Sequence, residues 1–213
     1  MDENLRSASL KALSGAAEAL KKNGFQAMVC ADRAEAARSI SEILGQSRRV
    51  GLGGSMTLEE LGLPAKLQEA GHQVLTHMPG MSPEERARAC RDAQAADFYL
   101  ASPQAVTRDG KLIFIDGFGN RVSSLLHGPG AAVVVAGRNK LVSGTDEGLW
   151  RSRNVAAVAN NIRLKKKNPC VETGRCMDCA SPERICNAVV MLWKRPRALA
   201  AFHVVLVNEE LGY

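Results

Sequence analysis

The sequence predicts an α/β protein with a mainly parallel, doubly wound sheet. Short apolar runs such as Phe98 to Ala101 and Ala131 to Ala136 alternate with segments of helical period, the pattern of successive βα units. The second run is apolar at every position, as a strand covered on both faces must be. At 213 residues the chain can bury roughly 70% of its extended surface, so it needs no metal to fold. One domain over residues 1–213 is expected, with a cysteine-rich segment at 168–187 inserted near its end.

The elements follow in order. Leu5, Leu10, Leu13, Ala17 and Leu20 fall near one face of a helix that Gly24 stops. Phe25 to Cys30 is a strand. Asp32 and Glu35 form a capping box for a helix to about Leu44, which Gly45 ends. Arg49 to Leu52 is a short strand entering Gly51-Leu-Gly53-Gly54-Ser55-Met-Thr57; Thr57 with Glu60 caps the next helix, and Pro64 starts another. Gln73 to Thr76 is strand-like, and Ser82-Pro83-Glu84-Glu85 opens a helix to about Ala95. Strands at Phe98–Ala101 and Leu112–Ile115 are separated by a turn at Arg108–Lys111. A helix from Asn120 to Leu126, the strand from Ala131 and a helix from Thr145 to Arg163 come next. A helix near Arg184 to Trp193 and a strand from His203 to Val207 complete the chain.

Composition narrows the function. Apolar content of 46% and charged content of 23% are those of a globular protein. No apolar run approaches the ~20 residues of a membrane helix, and the acidic start Met1-Asp2-Glu3 does not resemble a secretory signal. A cytoplasmic protein is expected. The net charge of +6 is dispersed apart from Arg163-Leu-Lys165-Lys166-Lys167, and aromatic residues are 4% of the chain. Stacking platforms for nucleic acid are scarce, and the lysine run reads as a solvated helix end.

Two strand ends and one loop carry chemistry. Ligands of an open parallel sheet bind beyond the carboxyl ends of its strands. There Gly51, Gly53 and Gly54 admit close backbone approach, and the Ser55 and Thr57 hydroxyls suit an anion; a tight turn without a ligand is the bland alternative. In Asp116-Gly-Phe-Gly-Asn120-Arg121, Asp116 and Arg121 either flank a polar substrate or serve the helix that follows. Cys170-x5-Cys176-x2-Cys179-x6-Cys186 gathers four thiols among turn residues. In a reducing compartment such clusters favour metal or redox chemistry over disulfides. One short pair between longer gaps points to an iron–sulfur cluster, of type [4Fe-4S]; zinc, which prefers two Cys-x2-Cys knuckles, and redox thiols remain alternatives. Cys30 and Cys90 read as small buried hydrophobes, and the four histidines show no zinc-type pairing. No Gly-x-Ser-x-Gly elbow is present.

Gly51-Leu-Gly-Gly-Ser55, Asp97-Phe-Tyr-Leu-Ala-Ser102, Ile115-Asp-Gly-Phe-Gly-Asn-Arg121 and Val133-Val-Val-Ala-Gly-Arg-Asn-Lys140 together resemble the LUD domain, the lactate-utilization family. The ending, Thr173-Gly-Arg-Cys-Met-Asp-Cys-Ala-Ser-Pro-Glu-Arg-Ile-Cys186 and Val204 to Tyr213, resembles a cysteine-containing branch of it. The resemblance implies a fold similar to the NagB/ribose-5-phosphate isomerase/CoA-transferase group, whose members bind phosphorylated sugars or acyl-CoA at the matching glycine-rich loop. It also implies a role beside iron–sulfur subunits that oxidise lactate, with a small anionic metabolite and a redox partner subunit as expected partners. The isomerase acid and base and the CoA-transferase glutamate have no counterpart in this sequence. A non-redox protein for a phosphorylated or CoA-linked metabolite is the second expectation.

Overall fold

The computed structural model, which describes residues 2–78 and 80–213, contains two sheets. The strands are β1 (Gln26–Cys30), β2 (Arg49–Leu52), β3 (Gln73–Leu75), β4 (Phe98–Ala101), β5 (Ala105–Thr107), β6 (Leu112–Asp116), β7 (Ala131–Gly137), β8 (Leu141–Val142), β9 (Ala188–Leu192) and β10 (Ala201–Val207). The main sheet has the order β1-β10-β7-β4-β2-β3, and every pair in it is parallel. A smaller sheet, β8-β5-β6-β9, pairs β6 antiparallel to both β5 and β9.

Helices cover both faces of the main sheet. The α-helices of the described residues are α1 (Glu3–Lys22), α2 (Arg33–Leu44), α3 (Met56–Glu60), α4 (Leu63–Glu69), α5 (Pro83–Gln94), α6 (Asn120–Leu126), α7 (Thr145–Arg151), α8 (Ala157–Arg163) and α9 (Pro169–Thr173), of which α7 packs on the smaller sheet and α9 on α8. Alternation along the central strands sorts the core into two layers, because successive side chains leave a strand on opposite faces. Ala132, Val134 and Phe202 meet Leu13, Leu20 and Leu125 on one side; Val133, Val135 and Val205 meet Ile40, Leu58 and Leu67 on the other. β7 is buried at all of its positions, which is why its sequence shows no polar alternation.

Two expectations are corrected. The segment expected as a helix near Arg184–Trp193 forms β9, because Val189 to Leu192 finds an open edge on β6 and strand pairing overrides local preference. The helical segment expected from Thr145 to Arg163 stands over that span, with a π-helical turn at Ser152–Ala156 within it. Ser55, not Thr57, caps α3, accepting from the Leu58 N–H, while Thr57 turns inward and is buried. The capping residues Asp32 and Ser82 stand as the sequence predicts.

Candidate functional site

A cleft opens beyond the carboxyl ends of β2, β4 and β7. Gly53 to Thr57 follow β2, Ser102 follows β4, and Lys140 ends the 3₁₀ turn Arg138–Lys140 after β7. The other walls are Asp116 to Arg121, the π-helical turn and α8 through Ala156, Asn160 and Arg163, and Ile185 from the cysteine segment. The cleft holds about 170 Å³, small beside the usual range for drug-sized ligands. A small acid fits inside it; anything longer would project into solvent.

Of the residues singled out in the sequence, Gly53, Gly54, Ser55, Thr57, Asp116, Asn120 and Arg121 line the cleft. Gly51 lies below it, where a β-carbon would stand 2.3 Å from the Ala93 carbonyl oxygen; α5 packs directly on its backbone. Asp116 is buried, and its carboxylate accepts four backbone N–H bonds, from Phe118 and Gly119 at Oδ1 and from Arg121 and Val122 at Oδ2. It thereby fixes the turn that delivers Asn120 and Arg121. Arg121 donates to the Ile115 carbonyl, while its buried Nε has no partner among the described residues.

Lys140, which sequence reasoning missed as a site residue, is buried at the cleft floor, only 2% exposed. Its Nζ lies 2.7 Å from both Thr57 Oγ1 and Ser102 Oγ, and those two hydroxyls are 3.1 Å apart. Burial, with Arg151 and Arg121 adding like charge, pushes its ammonium down to about 7. The signal for it was its place just past the carboxyl end of an all-apolar strand. The segment Asn208 to Tyr213 closes the floor. Thr57 donates to the Leu211 carbonyl, Asn139 brackets Leu211 and Gly212, and Gly212 adopts φ of 54° with no room for a β-carbon against Thr57. Tyr213 thus reaches the cleft wall, where burial raises its phenol.

The cleft is electropositive. Arg86, Arg121, Lys140 and Arg163 line it against a single carboxylate, Asp116, whose oxygens are taken up by amides. His77 also lines it, held below the usual imidazole range by burial and by Arg86. Cations that outnumber carboxylates inside a cleft favour an anionic ligand.

All six cysteines are free thiols. Cys170 on α9 is buried, and Cys176, Cys179 and Cys186 are half-buried. Burial raises the Cys170 thiol, and charge on Cys179, Cys186 and Cys176 would raise it further. Cys186 is likewise raised, first by burial, with Arg184 opposing. Arg184 ties the loop by donating to the carbonyls of Cys179 and Cys186 at 2.7 and 3.1 Å and to Asp178. Asp178 also pairs with Arg153, and the Cys176 N–H donates to Asn154 in the π-helical turn. As positioned, no three His, Cys, Asp or Glu side chains among the described residues stand close enough together to hold a metal ion. The donor type itself, four thiols within the one segment from Cys170 to Cys186, suits a thiophilic centre.

The loop is joined to the cleft. Asn187 donates its N–H to the Asp116 carbonyl and its side-chain amide to the Gly117 carbonyl, each at 3.0 Å. Cys186 therefore sits between Ile185, which lines the cleft, and Asn187, which holds the Asp116 turn.

A family model described as the LUD domain matches residues 13–207. Among solved structures, the chain is similar to a DUF162 family protein from Deinococcus radiodurans, at 19% identity and a TM-score of 0.54, covering 94% of this chain and 98% of that one. No curated protein matches the chain.

Proposed function

Because the chain belongs to the LUD domain family, we propose that it is a redox accessory in the oxidation of lactate or a similar small organic acid. The observation that carries this reading is the joining of an electropositive cleft to a four-thiol loop through Ile185, Asn187 and Asp116. Arg121 and Lys140 bind the acid, and the hydroxyls of Thr57 and Ser102 hold the Lys140 amine at the floor. Asp116 orients the Arg121 turn through its four amide bonds. Cys170, Cys176, Cys179 and Cys186 hold an iron–sulfur cluster, of type [4Fe-4S], which supplies one-electron transfer when bound. A redox partner subunit is the other member of the system.

Protein isolated without oxygen, or reconstituted with iron and sulfide, tests the cluster. Iron and acid-labile sulfide near four each per chain and a broad visible absorption that dithionite bleaches are expected. One zinc per chain, or colourless protein without iron after reconstitution, rejects it. The cationic lining also suits a phosphate dianion, so thermal shifts decide the ligand. Stabilisation by lactate or pyruvate supports the organic acid; stabilisation by sugar phosphates alone supports the non-redox reading of a phosphorylated or CoA-linked metabolite.

A further inference from the structure

The amine of Lys140 has one bonding direction left over. Its tetrahedral nitrogen spends one direction on the side chain and two on the Thr57 and Ser102 hydroxyls. No carboxylate pairs with it among the described residues. The hydroxyls are themselves committed. Thr57 Oγ1 accepts from Lys140 and Ser102 and donates to the Leu211 carbonyl, and Ser102 Oγ accepts from Lys140 and gives its one proton to Thr57 at 3.1 Å, the Pro103 carbonyl at 3.4 Å being the alternative acceptor. Neither is free to act as a nucleophile, whereas Lys140 lines the cleft with its remaining valence unspent. Arg121, close enough to oppose charge on Lys140, keeps a buried Nε without a partner. A permanent cation beside an amine fits a carboxylate next to an electrophilic carbon.

We propose that Lys140 is a carbonyl-reactive amine that condenses with the keto group of a 2-oxo acid whose carboxylate Arg121 holds. The step rests on the organic-acid reading of the cleft. The Lys140 nitrogen attacks the carbonyl carbon and a C–N bond forms. The carbonyl oxygen leaves as water with the two amine hydrogens, and a neutral imine remains, with no net change in oxidation state. Ser102 and Thr57 hold the amine in place and relay its protons. The groups that set its charge are Arg151 and Arg121, which disfavour the ammonium, and Glu60, which favours it more weakly; with burial they leave it half neutral at about 7. An ordinary surface lysine is almost wholly protonated at that pH.

Pyruvate and sodium borohydride, added to the full-length protein before intact mass measurement and peptide mapping, test the step. One adduct per chain is expected, heavier by pyruvate less one oxygen and mapped to Lys140. Its yield should exceed that at any other lysine by roughly ten-fold or more. It should be absent with lactate, which has no carbonyl, and in Lys140→Arg, and Ser102→Ala should slow its formation. Should Lys140→Arg fail to fold, peptide mapping of the unaltered protein still locates the modified lysine. Adducts spread evenly over the surface lysines overturn the proposal. So does a thermal shift with pyruvate and no adduct, which leaves Lys140 as a simple cation and the organic-acid cleft intact. Neither adduct nor thermal shift with either acid overturns both.

Discussion

Gly117 and Ile185 pack backbone to backbone: a β-carbon on Gly117 would stand 3.0 Å from the Ile185 Cα and 3.1 Å from its carbonyl oxygen. The strand end that carries Asp116 and the loop that carries Cys186 therefore meet without a side chain between them. Gly117→Val must push the loop away. It should cost about 1–3 kcal/mol of stability through overpacking and lower the iron retained after reconstitution. Denaturant midpoints and iron analysis measure the two effects, and unchanged values for both would mean that the contact carries neither.

Asp116→Asn keeps the shape and loses the charge. Four backbone N–H groups converge on two carboxylate oxygens, and an amide offers one acceptor and a donor that faces other donors. A loss of about 1–3 kcal/mol is expected, the cost of buried groups left unpaired. Chemical denaturation checks it. A variant as stable as the parent would show that the four bonds contribute nothing to holding the turn.

The pH dependence of stability follows from Lys140. Its folded value of about 7 lies below that of the unfolded chain, which is near 10.4 for a lysine. The unfolded state therefore binds more protons between those two values, and stability rises with pH across that window. The burial penalty is fully present below about pH 7 and is relieved above it. Between pH 7 and 9 the parent should gain up to about 2 kcal/mol relative to Lys140→Met. Parallel denaturation curves of the two proteins at both pH values would refute the lowered ammonium.

Without metal, Cys170 should be the slowest of the four clustered thiols to alkylate at neutral pH. It is buried, and burial raises its thiol, so little of the reactive thiolate is present. Arg184→Lys should speed modification of the loop, because an ammonium cannot reproduce the guanidinium fork that spans the Cys179 and Cys186 carbonyls and Asp178. Timed iodoacetamide labelling followed by peptide mass analysis reads both rates. Equal rates at all four positions in the parent would contradict the burial of Cys170.

Local pattern was enough for the main sheet, and partner-dependent features escaped it. Ala131 to Ala136 announces a doubly covered strand by composition alone, and the caps Asp32 and Ser82 depend on residues three apart. β9 escaped because Val189 to Leu192 is compatible with either helix or strand; the deciding partner is β6, far earlier in the chain. The cleft was legible where glycines and hydroxyls follow β2. Lys140 was not, since a lysine after a strand reads as a solvated side chain until Thr57 and Ser102 are seen to enclose it. The roles of Asp116 likewise separate only when its four amide partners are located.

The pairing of Asp116 with Ala188 places β6 and β9 in register immediately behind the Asn187 contacts, so the thiol loop and the cleft wall share one short piece of sheet. Two binding events that strain or settle the same piece obey reciprocity: whatever factor a loaded loop imposes on the affinity of the acid, the acid imposes on retention of the cargo. A titration run from either side must return the same coupling free energy, so a metabolite that tightens the loop would also guard its thiols against oxygen.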